Sequence, residues 1–512
     1  MLFNSISFLI FLPIVFGLYW FVFQKNLKLQ NAFLLLASYV FYGWWDWRFL
    51  GLIIASSAVD YWCGLKMSTV DSQQSTENSA NSTIEGPGKE TGNKNLTKKQ
   101  PWSMVSGLWT GKRLYLTISL TFNLGLLAFF KYFNFFIDSA ADFISLLGFQ
   151  PHISTLNLIL PVGISFYTFQ TLSYSIDVYK GKLKPTKDPI AFFTFVAFFP
   201  QLVAGPIERA SNLLPQFFKK REFEYQQGSD GMKLILWGLF KKMVIADNCA
   251  LVVNPIFENY QTASGLELIM GAILFAFQIY GDFSGYSDIA IGVAKLFGFD
   301  LMTNFRTPYF SRDIAEFWRR WHISLSTWFR DYVYIPLGGS RVTKVKAIRN
   351  IFIVFLVSGF WHGANWTFIA WGGIHAALFI PIFLIGKNRV HLNEGDHMIP
   401  SFKELIQMIS TFTLVSVAWV FFRANSIGDA LGYLIRTFSN PLFPNSFNWF
   451  GYHLRVALVI FLVLEWIGRK RSNWIEIIPL KWYRYPVYFL VAFSIMYWGV
   501  FTQKMDFIYF QF

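Results

Sequence analysis

SRDIAEFWRRWHISLSTWFRDYVYIPLGGSR, residues Ser311–Arg341, is followed after a short basic connector by IFIVFLVSGFWHGANWTFIAWGGIH, residues Ile351–His375. Each stretch sets a histidine among tryptophans, His322 in the first and His362 in the second. The second is an almost uncharged run suited to lipid, whereas the first mixes Trp with Arg, Asp and Glu and makes a poor span. Ionisable side chains inside membrane segments cost roughly 2.5–3.5 kcal/mol or more each, so they face a protein-lined cavity and point to function.

The composition agrees with a membrane setting. Of 512 residues, 54% are hydrophobic, 20% aromatic and only 14% charged, where a soluble protein carries roughly 25% charged residues. Apolar runs near the ~20 residues that cross a bilayer lie at about 6–23, 31–45, 49–65, 114–136, 157–177, 189–206, 232–256, 264–297, 347–361, 363–385, 405–422, 454–468 and 485–502. The fold expected is an all-α polytopic membrane protein, one domain over 1–512, with about 11–13 spanning or re-entrant segments. The first run lacks a basic leader and a cleavage site, so it reads as a retained span. Basic residues flank 189–206 on both sides, which suggests a re-entrant segment, and Lys241 and Lys242 suggest that 232–256 lies partly along the interface.

The net charge of +14 has two explanations. Lys and Arg collect in cytoplasmic loops, or a basic surface attracts an anionic polymer or an acidic carrier protein. Lys25 and Lys28 follow the first span and a lysine-rich loop follows the third, so the N-terminus is expected outside. That loop, 68–100, is rich in Ser, Thr, Asn and Gly and is expected to be disordered. Asn81 and Asn95 sit there in glycosylation-type triplets that would be silent on the cytoplasmic side.

Other chemistries find no purchase in the sequence. Cys63 and Cys249 give neither a disulfide framework nor a metal spacing. There is no glycine-rich nucleotide loop, zinc cluster or Gly-x-Ser-x-Gly elbow, and His152, His391, His397 and His453 lack metal-like spacing. Neither a metal nor a nucleic-acid partner is expected.

If 312–332 is one helix, His322, Ser326 and Arg330 share a face opposite Trp321, Leu325 and Trp328, and Glu316 reaches Arg319 or Arg320. Such a helix is either an interfacial anchor or the wall of a funnel. Beside His362, Gly363 leaves room and Asn365 offers an amide; an unperturbed imidazole titrates near pH ~6.5 and suits proton abstraction. His375 reads better as packing. Gln170 lies in a hydroxyl-rich apolar run, and Pro200, Gly205 and Pro206 mark either a kinked helix or a cavity wall. Asp282 and Asp288, in QIYGDFSGYSDIAIGVAKLFG, either clamp neighbouring helices or line a substrate path.

The chain resembles the membrane-bound O-acyltransferase family. The likeness rests on FWRRWHISLSTWFRDYVYIPLGGSR at Phe317–Arg341, SGFWHGANWTFIAWGGIH at Ser358–His375, FFPQLVAGPIER at Phe198–Arg209, YGDFSGYSDIAIG at Tyr280–Gly292 and AWVFFRA at Ala418–Ala424. It extends from ASYVFYGWW, Ala37–Trp45, to FIYFQF, Phe507–Phe512, and is strongest to the bacterial polysaccharide-modifying branch. That branch includes alginate O-acetyltransferase subunits and teichoic-acid D-alanyl transfer proteins. The resemblance implies a helical body with a central funnel in a bacterial cytoplasmic (inner) membrane. It implies that His362 is the catalytic base and that His322 positions the donor or stabilises developing charge. Asn365, Ser326, Arg330, Arg320, Trp361, Asp288 and Gln170 are the supporting or substrate-binding candidates. It further implies no bound cofactor, acetyl-CoA or another acyl thioester as donor, a polysaccharide acceptor, and an extracytoplasmic serine-esterase-like (SGNH-type) partner. D-alanyl transfer from an acyl carrier protein, and transport without chemistry, stand as alternatives.

Overall fold

The computed structural model describes residues 1–84, 111–150, 155–156, 158–392, 398–444, 451–470, 481–501, 505 and 507–510, all helix, turn and loop with no strand among them. The chain opens with α1 (Ile6–Gly17), α2 (Leu27–Gly43), α3 (Leu50–Ile84), α4 (Lys112–Leu127), α5 (Phe133–Leu146) and α6 (Ile164–Tyr179). Short helices follow: α7 (Pro189–Ala197), α8 (Phe199–Leu202) and α9 (Ala210–Leu213). Then come α10 (Tyr225–Leu239), α11 (Asp247–Glu258), α12 (Gly265–Leu296), α13 (Ile314–Arg320), α14 (Ile323–Phe329), α15 (Lys344–His362) and α16 (Trp366–Leu384). The described part closes with α17 (Phe402–Arg423), α18 (Ile427–Ser439), α19 (Tyr452–Gly468) and α20 (Lys481–Trp498).

Local sequence signals account for many of the boundaries. Asn26 caps α2, Asp188 caps α7 with Pro189 in its first turn, and Ser264 with Glu267 and Ser401 with Glu404 form capping boxes on α12 and α17. Among the described residues, five helical stretches are long and apolar enough to cross a bilayer: Lys112–Leu146, α12, α15, α16 and α17. The other apolar runs form shorter or more polar helices. At nine residues α7 is about 14 Å long, and a break at Phe198 separates it from α8.

The centre of the body is α12, which packs against α10, α11, α17 and α18. Its contact with α10 is made by matched glycines. A Cβ on Gly238 would sit 2.5 Å from the Gly285 carbonyl oxygen, and one on Gly231 2.6 Å from that of Gly292. Small residues let membrane helices approach backbone to backbone, where dispersion and not water expulsion holds them. The α15–α16 hairpin uses the same device at Gly359 and Gly372.

The structure bears on three expectations. The residues around Lys241 and Lys242, expected to lie partly along the interface, are buried. They form a wide turn, Phe240–Ala246, inside the protein, where Lys241 pairs with Asp288 at 2.6 Å and Lys242 with Asp282 at 2.7 Å and Asp247 at 2.9 Å. Buried charge is tolerated because each is matched. Second, α3 is helical to Ile84, within the polar stretch 68–100, and residues 85–100 of that stretch lie outside the described residues. Third, 312–332 is not one helix. Arg320 ends α13 and His322 takes a left-handed conformation (φ 43°) before α14 begins.

Candidate active site

His362 is the last residue of α15. Gly363 is extended, and Asn365 then caps α16, accepting from the Thr367 amide at 3.0 Å. The imidazole is buried between Trp361, Trp371, Phe422 and Tyr509, with ring centroids 4.9, 5.1, 5.4 and 5.5 Å away. Its Nδ1 has no hydrogen-bond partner.

The bend between α13 and α14 turns His322 inward, and its ring lies 6.4 Å from that of His362. A non-glycine residue at positive φ is strained and persists only where its surroundings hold it. Here the Ile323 amide donates to the Asn304 carbonyl at 2.9 Å, and Asn304 Oδ1 accepts from the Ser324 amide and hydroxyl at 3.2 and 2.9 Å. His322 Nδ1 lies 3.1 Å from the same oxygen. An amide oxygen can only accept, so Nδ1 carries the proton and Nε2 keeps its lone pair. That Nε2 is buried and unpartnered. Phe283 meets the ring edge to face at 4.6 Å and keeps it dry.

Cavities approach this pair from opposite ends of the α15–α16 hairpin. One, of about 590 Å³, lies where α15 begins and α16 has ended, and is lined by Arg306, Arg319, Arg320, Arg330, Arg389 and His391. Its single carboxylate, Glu316, is held by Arg320 at 2.7 Å and Arg312 at 3.0 Å, so the walls stay strongly positive. It reaches Arg320 and Ile323, the residues around the bend that carries His322. The other, of about 180 Å³, lies where α15 ends and is lined by His362, Trp361, Tyr509, Lys131, Ser165 and Phe166 among others.

The remaining expected site residues divide. Arg320, Ser326 and Arg330 all line the arginine cavity, but the bend keeps them off the buried face of His322. Trp361 lines the smaller cavity and stacks on Phe169 at 5.2 Å. Asn365 spends its amide on the Asn425 carbonyl at 2.9 Å and neither of its bonds reaches an imidazole. Gly363 leaves no room beside the histidine, because a Cβ there would run into the Phe368 ring. Gln170 donates to the Phe195 carbonyl at 2.7 Å and ties α6 to α7. Asp288 is taken by Lys241 and lines neither cavity, which makes it part of the helix clamp. His375 packs among aromatics and accepts from Trp318 Nε1 at 3.3 Å, a structural place.

Sequence reasoning missed Asn304, Lys131 and Tyr509. Lys131 had a signal, since it is a lone lysine within the apolar run 114–136. Asn304 had none, because its partner is 18 residues away across a bend. Among the described residues, no three His, Cys, Asp or Glu side chains are grouped to hold a metal ion.

Comparison with known proteins places the chain. Residues 186–388 match the model of MBOAT, the membrane-bound O-acyltransferase family. The chain is 37% identical to a probable alginate O-acetylase, AlgI, of Pseudomonas aeruginosa over 92% of its own length and 82% of the relative's. It is 35% identical to a peptidoglycan O-acetyltransferase of Helicobacter pylori, over 84% of its length and 78% of the relative's. Similarity to a teichoic acid D-alanyltransferase of Bacillus subtilis, 31% identical, covers 45% of this chain and 60% of that one. The chain is therefore a multi-pass member of the membrane-bound O-acyltransferase family, and an O-acyltransferase enzyme.

Proposed function

We propose that this enzyme carries an acetyl group from a cytoplasmic thioester, acetyl-CoA, across the membrane for O-acetylation of an exported or cell-wall polysaccharide. The observation that carries this reading is the pair of cavities at opposite ends of one helix hairpin, one walled by arginines and the other reaching His362. Guanidinium groups match phosphate geometry, so the positive cavity suits the nucleotide end of coenzyme A. The pantetheine arm would run past the α13–α14 bend, where the bare Nε2 of His322 can accept from one of its amide N–H groups. The thioester carbon then lies between the histidines.

On the other side, an acceptor hydroxyl in the smaller cavity gives its proton to His362. Its oxygen bonds to the carbonyl carbon, and the tetrahedral adduct collapses by breaking the C–S bond. The imidazolium returns the proton to the departing thiolate. A cavity of about 180 Å³ admits a hydroxyl-bearing group and not a polymer, which supports a separate extracytoplasmic esterase-like partner that delivers the acetyl group to the polysaccharide.

The donor assignment is tested by offering the purified protein in lipid vesicles labelled acetyl-CoA and, separately, a D-alanyl-loaded carrier protein. Label taken from acetyl-CoA is the expected result; label taken only from the carrier would move the assignment to D-alanyl transfer. Unaltered thioester on the far side of the vesicle would mean transport without chemistry. Three substitutions sharpen it. Arg306→Gln and Arg389→Gln each remove a charged donor worth about 1.5–3 kcal/mol, so each should raise the KM for acetyl-CoA about tenfold or more with kcat little changed. Asn304→Ala removes the acceptor that orients His322; such a hydrogen bond is worth about 0.5–1.5 kcal/mol, so a loss of about twofold to tenfold should appear in turnover at saturating donor.

A further inference from the structure

Lys131 is a cation in an apolar setting with no carboxylate in ion-pairing reach among the described residues. It sits in a wide turn, Ala128–Tyr132, between α4 and α5. Such single wide turns inside helices recur at functional sites. This one brings two successive side chains to the carbonyl end of α15. Lys131 Nζ donates to the carbonyls of Trp361 at 2.8 Å and His362 at 2.9 Å, and Tyr132 donates to that of Phe360 at 3.1 Å. The last carbonyls of a helix have no partner of their own, so the turn closes the end that carries His362.

A cap alone does not account for the lysine. An ammonium has three N–H donors and the carbonyls take two, while Lys131 also lines the smaller cavity beside His362. We infer that Lys131 is a catalytic residue of this enzyme: two N–H groups fix the helix end that carries the imidazole, and the third donates to the acceptor oxygen in the cavity. This inference rests on the acetyl-transfer reading given above.

As the acceptor O–H gives its proton to His362 ahead of C–O bond formation, partial negative charge builds on the acceptor oxygen. An ammonium donating to that oxygen stabilises it most at the transition state, where a preorganised donor in a dry site is worth most. Lys131 keeps its own proton throughout. The proton that moves goes to the imidazole and then to the thiolate released when the C–S bond breaks.

The test separates the cap from the charge. Lys131→Gln keeps N–H donors for the two carbonyls but no charge, Lys131→Met keeps neither, and Lys131→Arg keeps the charge. Turnover of labelled acetyl-CoA is measured in the full-length protein in vesicles, beside the thermal unfolding midpoint. Losing one such donor typically costs about 10²–10³-fold in kcat. The neutral variants should lose that much with the KM for acetyl-CoA within threefold of the parent, and Lys131→Arg should regain at least tenfold. A neutral variant within threefold of the parental kcat, or an arginine variant no better than the glutamine one, overturns the inference. So does the failure of both neutral variants to assemble, which would make the lysine a structural cap. Tyr132→Phe, which removes the third carbonyl bond, should leave kcat nearly parental; a loss equal to that of Lys131→Gln would reduce both residues to clamps. If the parent itself takes no acetyl group and matches His362→Ala, the acetyl-transfer reading fails and not the role of Lys131 alone.

Discussion

His362→Ala is expected to lower acyl transfer by about 10²–10⁴-fold, the range a positioned general base supplies. The side chain ends α15 and makes no hydrogen bond through its buried Nδ1, so its removal leaves no other polar group unpaired. What it leaves is a hole among Trp361, Trp371, Phe422 and Tyr509. Large-to-small core changes cost about 2–5 kcal/mol, and four large rings can close part of that gap. The variant should therefore insert in membranes, purify as one species and bind acetyl-CoA with nearly parental affinity while transferring almost nothing. Transfer by a well-assembled variant within tenfold of the parent would remove His362 from the proton step.

The second large effect falls on stability. Lys242 is the shared counter-ion of Asp282 and Asp247, and all three are buried. Lys242→Met keeps the volume and removes the charge, leaving two carboxylates in a dry interior. Breaking a buried pair by deleting one partner costs about 3–5 kcal/mol, and here two pairs go together. Asp282 also accepts from the Ile508 amide at 2.6 Å and so anchors the returning C-terminal turn whose Tyr509 packs on His362. Loss of the lysine should therefore lower the thermal midpoint sharply and reduce activity in the part that still folds. A midpoint within a degree or two of the parent would mean that those carboxylates have another source of neutralisation.

Much of the frame was readable from the chain because lipid makes strong demands on sequence. Apolar runs mark helices, and His322 and His362 stand out where ionisable groups are expensive. The chemistry around those histidines was less readable. A continuous helical period through 312–332 predicts one face for His322, Ser326 and Arg330; the positive φ at His322 depends on Asn304, which no local pattern reveals. Asn365 looked like an imidazole partner by proximity in sequence, yet its position before Trp366 makes it a helix cap. Asp282 and Asp288 were recognised as costly but not assigned partners, because Lys241 and Lys242 lie some forty residues away and meet them only through the glycine contact of α10 with α12. Lys131 was visible in its apolar run, and only the wide turn that aims it at α15 gives it a purpose.

On the proposed mechanism, a thioester on the arginine-lined face is consumed while its acyl group leaves through the histidine pair to the other face. Sealed vesicles decide this, with the protein in one orientation, labelled acetyl-CoA supplied only on the arginine-lined side, and a hydroxyl-bearing acceptor or candidate partner only on the other. Stoichiometric free coenzyme A should appear on the first side and acetyl ester on the second, both abolished in His362→Ala. Ester formed on the donor side alone, or transfer that survives in the variant, would contradict it.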